Sequence, residues 1–197
     1  MKTINQHIGN TDIYLLDQIL KGRFQKNEII LDAGCGSGRN LYWFYNNGFK
    51  VYGIDRDENN IESLKIAYSN QKENFHTSSA EKLSFSNHFF NHIICNAVLH
   101  FATNTKHFEN MFLELYRVLK PNGTIFIRVA SNIGIKDKIE PVSEGVYNLP
   151  DGTTRYLLTK SLLKNLKERH KFICLEPLKT VNVNDQRCIT TLVLQKQ

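Results

Sequence analysis

Apolar and polar positions along this chain follow two periods that alternate with each other. Ile13, Leu16, Ile19 and Leu20 recur at helical spacing, with Thr11-Asp12 placed to cap the start and Gly22 to stop the end. A short apolar run, Glu28-Ile29-Ile30-Leu31-Asp32, then breaks into glycines, as a buried strand does before a tight turn. Leu41 to Tyr45 predicts a helix ending near Asn47-Gly48, and Lys50-Val51-Tyr52-Gly53-Ile54 a second strand. Asp57 to Ser69 carries Ile61, Leu64, Ile66 and Ala67 on one helical stripe. Beyond it the pattern predicts a weak strand near Asn74-Phe75-His76, a strong one from His92 to Asn96, and a helix from Lys106 to Leu119. Pro121-Asn122-Gly123 reads as a turn before a strand from Thr124 to Val129. Thr159 opens a helix through Leu162, Leu163 and Leu166, and two strand patterns, Lys171 to Leu175 and Cys188 to Leu194, close the chain.

Strands that alternate with helices fold into a parallel sheet covered on both faces. The last two strands have no room for a crossover helix between them, so they should run antiparallel. The expectation is a three-layer α/β/α sandwich around a seven-stranded, mostly parallel sheet with an antiparallel last strand. Ligands in such sheets bind outside the carboxyl ends of the strands, near the switch point by the first strand. The 197 residues are expected to form a single domain. Residues 1–27 would be a helical cap. Residues 131–158, with Pro141, Gly145, Pro150 and Asp151-Gly152 and little periodicity, would be a lid over the strand ends.

Composition narrows the class. With 41% hydrophobic and 22% charged residues, wholesale disorder is excluded. No apolar run approaches the ~20 residues of a membrane helix, and the N-terminus has no apolar h-region, so a cytoplasmic protein is expected. The net charge of +6 is scattered, which fits a solvated surface better than a nucleic-acid face. The four cysteines lack a C-x-x-C spacing and the seven histidines lack a zinc pattern, so neither disulfide nor metal is expected. A monomer or homodimer with a small-molecule partner is the simplest reading.

The chemistry gathers after the first strand, in Asp32-Ala33-Gly34-Cys35-Gly36-Ser37-Gly38-Arg39-Asn40. Glycines at alternate positions let backbone approach a ligand and bring free amides to it. A dinucleotide fingerprint needs a third glycine where Arg39 stands, and Asp32 would repel a pyrophosphate. That acid suits an ammonium or sulfonium instead. The second strand ends in Asp55, whose carboxylate can accept hydrogen bonds from both hydroxyls of a ribose. Loop and acid together favour a nucleoside site.

With these residues the chain resembles the class I S-adenosylmethionine-dependent methyltransferases over residues from about 28 to 130. The segment Gly34-Cys35-Gly36-Ser37-Gly38-Arg39-Asn40 is similar to that of small tellurite-resistance-type members. The resemblance implies a Rossmann-like sandwich, S-adenosylmethionine as cofactor, and a methyl transfer to a small molecule through O, N, S or a metalloid. It implies that Asp32, Gly34 and Gly36 line the methionine end, that Cys35 and Asn40 also belong to the cofactor site, that Asp55 holds the ribose and that Arg56 lies against the adenine. Ser79, Ala80 and Glu81 would follow on the adenine side, and Asn96 and Ala97 at the end of the fourth strand. Ser79 stands where the family usually has an acid, and Asn122 where it has a glycine.

On the substrate side, Asn96-Ala97-Val98 lacks the paired prolines of base amino-methyltransferases, and no cysteine follows a proline as in cytosine-C5 enzymes. His100 could act as a general base, or merely pack and orient substrate. Arg128, Tyr147, Arg155 and Tyr156 are candidates for substrate contact, an anionic group included, and Tyr14 on the N-terminal helix is a candidate on the other side. RNA- or protein-directed methyl transfer, a non-catalytic nucleoside binder and a nicotinamide-dependent oxidoreductase remain as alternatives.

Overall fold

The computed structural model describes residues 3–197. A short helix, α1 (Ile4–Ile8), is closed by a capping box between Thr3 and Gln6. The second helix, α2 (Ile13–Leu20), starts on the Asp12 carboxylate, which accepts from the Tyr14 N–H at 2.9 Å. Then come β1 (Ile29–Ala33), α3 (Tyr42–Asn46), β2 (Lys50–Asp55) and α4 (Glu58–Ala67). They are followed by β3 (Phe75–Thr77), β4 (Phe90–Asn96), α5 (Thr105–Val118) and β5 (Leu119–Ala130). After three short strands, β6 (Glu140–Ser143), β7 (Val146–Asn148) and β8 (Thr154–Tyr156), the chain continues through α6 (Lys160–Arg169) and β9 (Phe172–Cys174). It ends in β10 (Lys179–Val183) and β11 (Arg187–Lys196).

The main sheet runs β10-β11-β5-β4-β1-β2-β3, with β9 also on β11. Pairs β1–β2, β1–β4, β2–β3 and β4–β5 are parallel; β11 is antiparallel to β5, β9 and β10. Successive residues of β1 explain the three layers. Ile30 packs with Leu15, Leu41, Phe44, Ile61 and Leu64, from α2 to α4. Its neighbour Leu31 packs on the other side with Phe112 and Leu115 of α5 and Leu166 of α6. Each such side chain taken from water contributes about 1.5–3 kcal/mol, so a strand buried on both faces needs an unbroken apolar run.

Three expectations are corrected. The sheet has eight strands, not seven, because Lys179–Val183 forms a strand that the pattern did not predict. This strand is a half-exposed edge with polar Lys179, Thr180 and Asn182, so it lacks the apolar run that marks its partners. The signal that marks it is the Asn184-Asp185 turn, where both residues have positive φ. Residues 131–158 are not a structureless loop, since β6, β7 and β8 form their own antiparallel sheet. Pro121-Asn122-Gly123 does not precede β5 but lies inside it, at a break in register with β4 between Phe90 and His92. Asn122 takes the turn there at φ 62°.

Candidate active site

Strand order reverses between β1 and β4, and the segments leaving these two strands face each other. After β1, Gly34 has φ +78°, and a Cβ on it would lie 2.2 Å from Val98 Cγ2, just after β4. Only glycine permits both that conformation and that approach. Between the two segments lies a groove of about 230 Å³, lined by Gly34, Asp55, Arg56, Ala80 and Ala97, together with Ile54, Ser78, Val98, Phe101 and Met111.

The loop does not offer its amides as expected. Gly34 and Cys35 both donate to the Ile54 carbonyl, at 2.8 and 2.9 Å, and Gly38 donates to Cys35 O at 2.8 Å. Gly36 N–H donates to Asp55 Oδ2 at 2.8 Å. These hydrogen bonds pin β1's exit to β2's end, and they leave a pyrophosphate without the amides a dinucleotide would use. Asp55 Oδ1 accepts from Asp57 N–H at 2.9 Å. Each of its oxygens can accept once more, which is the capacity two ribose hydroxyls need. No neighbour lies within 4 Å of where a Cβ on Gly36 would sit, so the loop faces open space there.

Asp32 is fully buried, and neither carboxylate oxygen has a hydrogen-bond partner. Burial pushes its pKa up to about 7; Arg39 opposes the rise and the Asp55 charge adds to it. A buried carboxylate without donors is costly unless a cation faces it. Asp55 lines the groove with acceptor capacity that suits a diol, whereas Asp32 lies buried behind it and lines neither the groove nor the second cavity.

Other expected cofactor contacts fall elsewhere. The Cys35 thiol points into the core against Gly53, so only its backbone belongs to the loop, and burial pushes its pKa far up. Asn40 is buried, with Oδ1 accepting from Asp12 N–H at 3.1 Å, and serves to fix α2. Ser78, not Ser79, lines the groove. Glu81 accepts from Arg56 and, at 2.5 Å, from His107 Nε2, and so anchors Arg56 at the groove's rim. Burial works to raise the Glu81 carboxyl, but hydrogen bonding from Ser79 and His107 outweighs it and brings it to about 2. Val98, Phe101 and Met111 escaped the sequence reading because apolar residues on a helical or strand stripe look like core.

A second cavity, of about 350 Å³, adjoins the groove at Ala97, a residue that lines both and has φ +63°. Asn96 lines this second cavity rather than the groove, with His100, Arg128 and Arg155. The small sheet of β6, β7 and β8 supplies Arg155, and its connecting segment Leu149, Asp151 and Thr153. Arg128 is clasped by the buried Asp12 carboxylate, and its guanidinium lies 4.6 Å from the Tyr14 ring centroid. Tyr14 thus supports Arg128 and does not itself line the cavity. Two expected substrate residues are corrected. Tyr156 is 3% exposed, stacks on Phe108 at 5.0 Å and donates to Thr105 Oγ at 3.1 Å, so it packs the small sheet onto α5. Tyr147 packs beside Ala130, Leu149 and Leu157 and lines neither cavity.

His100 is buried, and its Nδ1 accepts from Ala130 N–H at 3.3 Å. That bond places the ring proton on Nε2. Burial first, and then the Arg155 charge, lower its pKa to about 4. In this arrangement the imidazole is neutral and offers its Nε2–H as a donor.

Comparisons with known proteins bear on the family and the fold. A family model described as a methyltransferase domain matches residues 31–127. The ubiquinone biosynthesis O-methyltransferase of Rickettsia canadensis is 36% identical over 101 residues, covering 50% of this chain and 41% of that protein. The chain thus spans about two fifths of the length of the curated relatives it matches first. A SAM-dependent methyltransferase structure from Methanosarcina mazei superposes with TM-score 0.73 at 23% identity, covering 90% of this chain and 96% of that one. The 1,6-didemethyltoxoflavin-N1-methyltransferase of Burkholderia thailandensis, solved with 1,6-didemethyltoxoflavin and S-adenosylhomocysteine bound, gives 0.67 at 19%, covering 98% and 84%. At these identities the two structures establish the fold. Among the described residues, no helix is long and apolar enough to cross a membrane.

Proposed function

Through residues 31–127 the chain belongs to the class I S-adenosylmethionine-dependent methyltransferases, and from that premise we propose that it methylates a small-molecule nucleophile. The observation that carries this reading is the pair of cavities meeting at Ala97, one bearing Asp55 beside the buried Asp32, the other bearing Asn96 and His100. Asp32 would hold the cationic end of the cofactor and Asp55 its ribose, with Arg56 and Ala80 along the base. When bound, S-adenosylmethionine supplies an activated methyl on a positively charged sulfur. Val98 and Phe101 wall the groove with apolar surface, and Phe101, 55% exposed, stands at its mouth. Ala97 would lie where donor and acceptor meet. Its small side chain and left-handed backbone leave that junction open.

The chain's contribution is placement. Holding two reactants in line supplies about 7–11 kcal/mol of a bimolecular barrier when the geometry is right. Neutral His100 would orient the acceptor by donating from Nε2, and residues 131–158 would close the acceptor side as a lid. Calorimetric titration with S-adenosylhomocysteine tests the reading. Saturable binding is expected, weakened about tenfold or more by Asp55→Ala, the loss of one charge-assisted contact set. No saturable binding to the wild-type chain would overturn it.

A further inference from the structure

Resting on that methyltransferase reading, we propose that the second cavity recognises its acceptor through an anionic group, a carboxylate or a phosphate, seated on Asn96 and Arg128 and covered by Arg155. The cavity's charge inventory comes first. Four guanidinium groups line it, from Arg39, Arg128, Arg155 and Arg187. Two carboxylates answer them. Asp12 holds Arg128 and lies 4.0 Å from Arg39, and Asp151 holds Arg187 at 3.0 Å. The other Asp151 oxygen is committed to the Thr153 amide and hydroxyl, at 3.0 and 2.6 Å. Among the described residues, Arg155 has no carboxylate partner. Its guanidinium donates to the Thr154 carbonyl at 2.8 Å and lies 5.0 Å from the Phe101 ring centroid. His100 beside it is neutral, so the cavity carries an excess of positive charge.

The second observation is independent of charge. Asn96 Nδ2 and Arg128 Nε are both buried without any hydrogen-bond acceptor. The two residues are direct cross-strand partners at the ends of β4 and β5, so their side chains leave the sheet on the same face. Both residues line the cavity, where their neighbouring strand ends supply its floor with one unpaired N–H donor each. A buried donor left unpaired costs about 1–3 kcal/mol, and an oxyanion that accepts from both relieves that cost. A planar carboxylate or a phosphate presents two such oxygens at once. Arg155 lies at the Phe101 side, where the second cavity meets the donor groove. An anion on this floor therefore brings the rest of its molecule toward Ala97. A cavity of 350 Å³ is at the small end of ligand sites, which fits a metabolite rather than a polymer.

The test titrates the full chain with benzoate, inorganic phosphate and neutral benzamide, with and without saturating S-adenosylhomocysteine, whose own binding is measured in parallel. The expected result is saturable binding of benzoate or phosphate, about tenfold or more tighter than benzamide. Which of the two binds tells carboxylate from phosphate. Arg155→Gln should erase the preference and Arg155→Lys should restore part of it, with S-adenosylhomocysteine affinity unchanged in both. Binding of benzamide equal to that of the anions, binding of neither anion in either state, or an unaltered preference in Arg155→Gln would overturn the proposal. If S-adenosylhomocysteine itself fails to bind, the methyltransferase reading falls, while the cofactor-free titrations still decide the cavity's preference for charge.

Discussion

The Ala130 N–H donates to Nδ1 of the buried His100 at 3.3 Å, and this one contact settles which nitrogen carries the ring proton. A histidine so placed cannot take a proton at Nε2, and protonating Nδ1 would break the bond to the backbone. Burial and the Arg155 charge hold the ring neutral down to about pH 4. Replacing His100 with Asn keeps an acceptor for the Ala130 amide. His100→Asn is expected to keep kcat/KM within about tenfold, whereas loss of a general base costs about 10²–10⁴-fold. The pH–rate profile should show no inflection from an imidazole between pH 5 and 8. A hundredfold loss, with the wild-type inflection abolished, would restore the base role.

Asp32 makes stability depend on pH in the direction opposite to an ordinary paired carboxylate. Burial, opposed by Arg39 and reinforced by Asp55, raises its pKa from 3.8 to about 7. The fold therefore holds this proton more tightly than the unfolded chain does. The stability so gained is present in full below about pH 4 and is lost as pH rises toward 7. Asp32→Asn should leave the melting temperature near wild type at pH 4 and raise it progressively up to pH 7, with no further gain above. S-adenosylhomocysteine affinity should fall in the same variant. A melting-temperature difference that stays flat from pH 4 to 8 would refute this account.

Gly34 and Gly36 both have positive φ but differ in surroundings. A Cβ at 34 would collide with Val98 at 2.2 Å, while a Cβ at 36 meets nothing within 4 Å. Gly36→Ala should cost only the backbone term, about 1–2 kcal/mol. Gly34→Ala should add displacement of Val98 and of the groove wall, with a larger stability loss and no measurable cofactor binding. Denaturant unfolding of both variants checks the order; equal losses would place the strain elsewhere.

Tyr156 tests whether the small sheet of β6 to β8 touches substrate through this residue or only packs on α5. Its hydroxyl donates to Thr105 and its ring stacks on Phe108. Tyr156→Phe should cost about 1 kcal/mol of stability and leave KM for the acceptor unchanged. A raised KM at wild-type stability would return this residue to the substrate site.

The sequence alone was sufficient where the physics is local or periodic. The apolar runs of β1 and β4 had to be buried on both faces, Asp12 and Thr159 had to cap helices, and Asp55 had to end the strand beside the glycine loop. The resemblance, carried by Asp32, the loop glycines and Asp55, pointed to the family by the same local rules. Tertiary structure decided what depends on residues distant in sequence. It used the loop amides on Ile54 and Asp55, turned Cys35 and Asn40 into packing, and placed Asn96 on the second cavity rather than on the groove beside Asp55. It also folded residues 140–156 into a sheet whose register places Arg155 on the cavity and Tyr156 in the core. The reason is geometric: successive strand residues point to opposite faces, and which face meets ligand is set only when the neighbouring strand arrives.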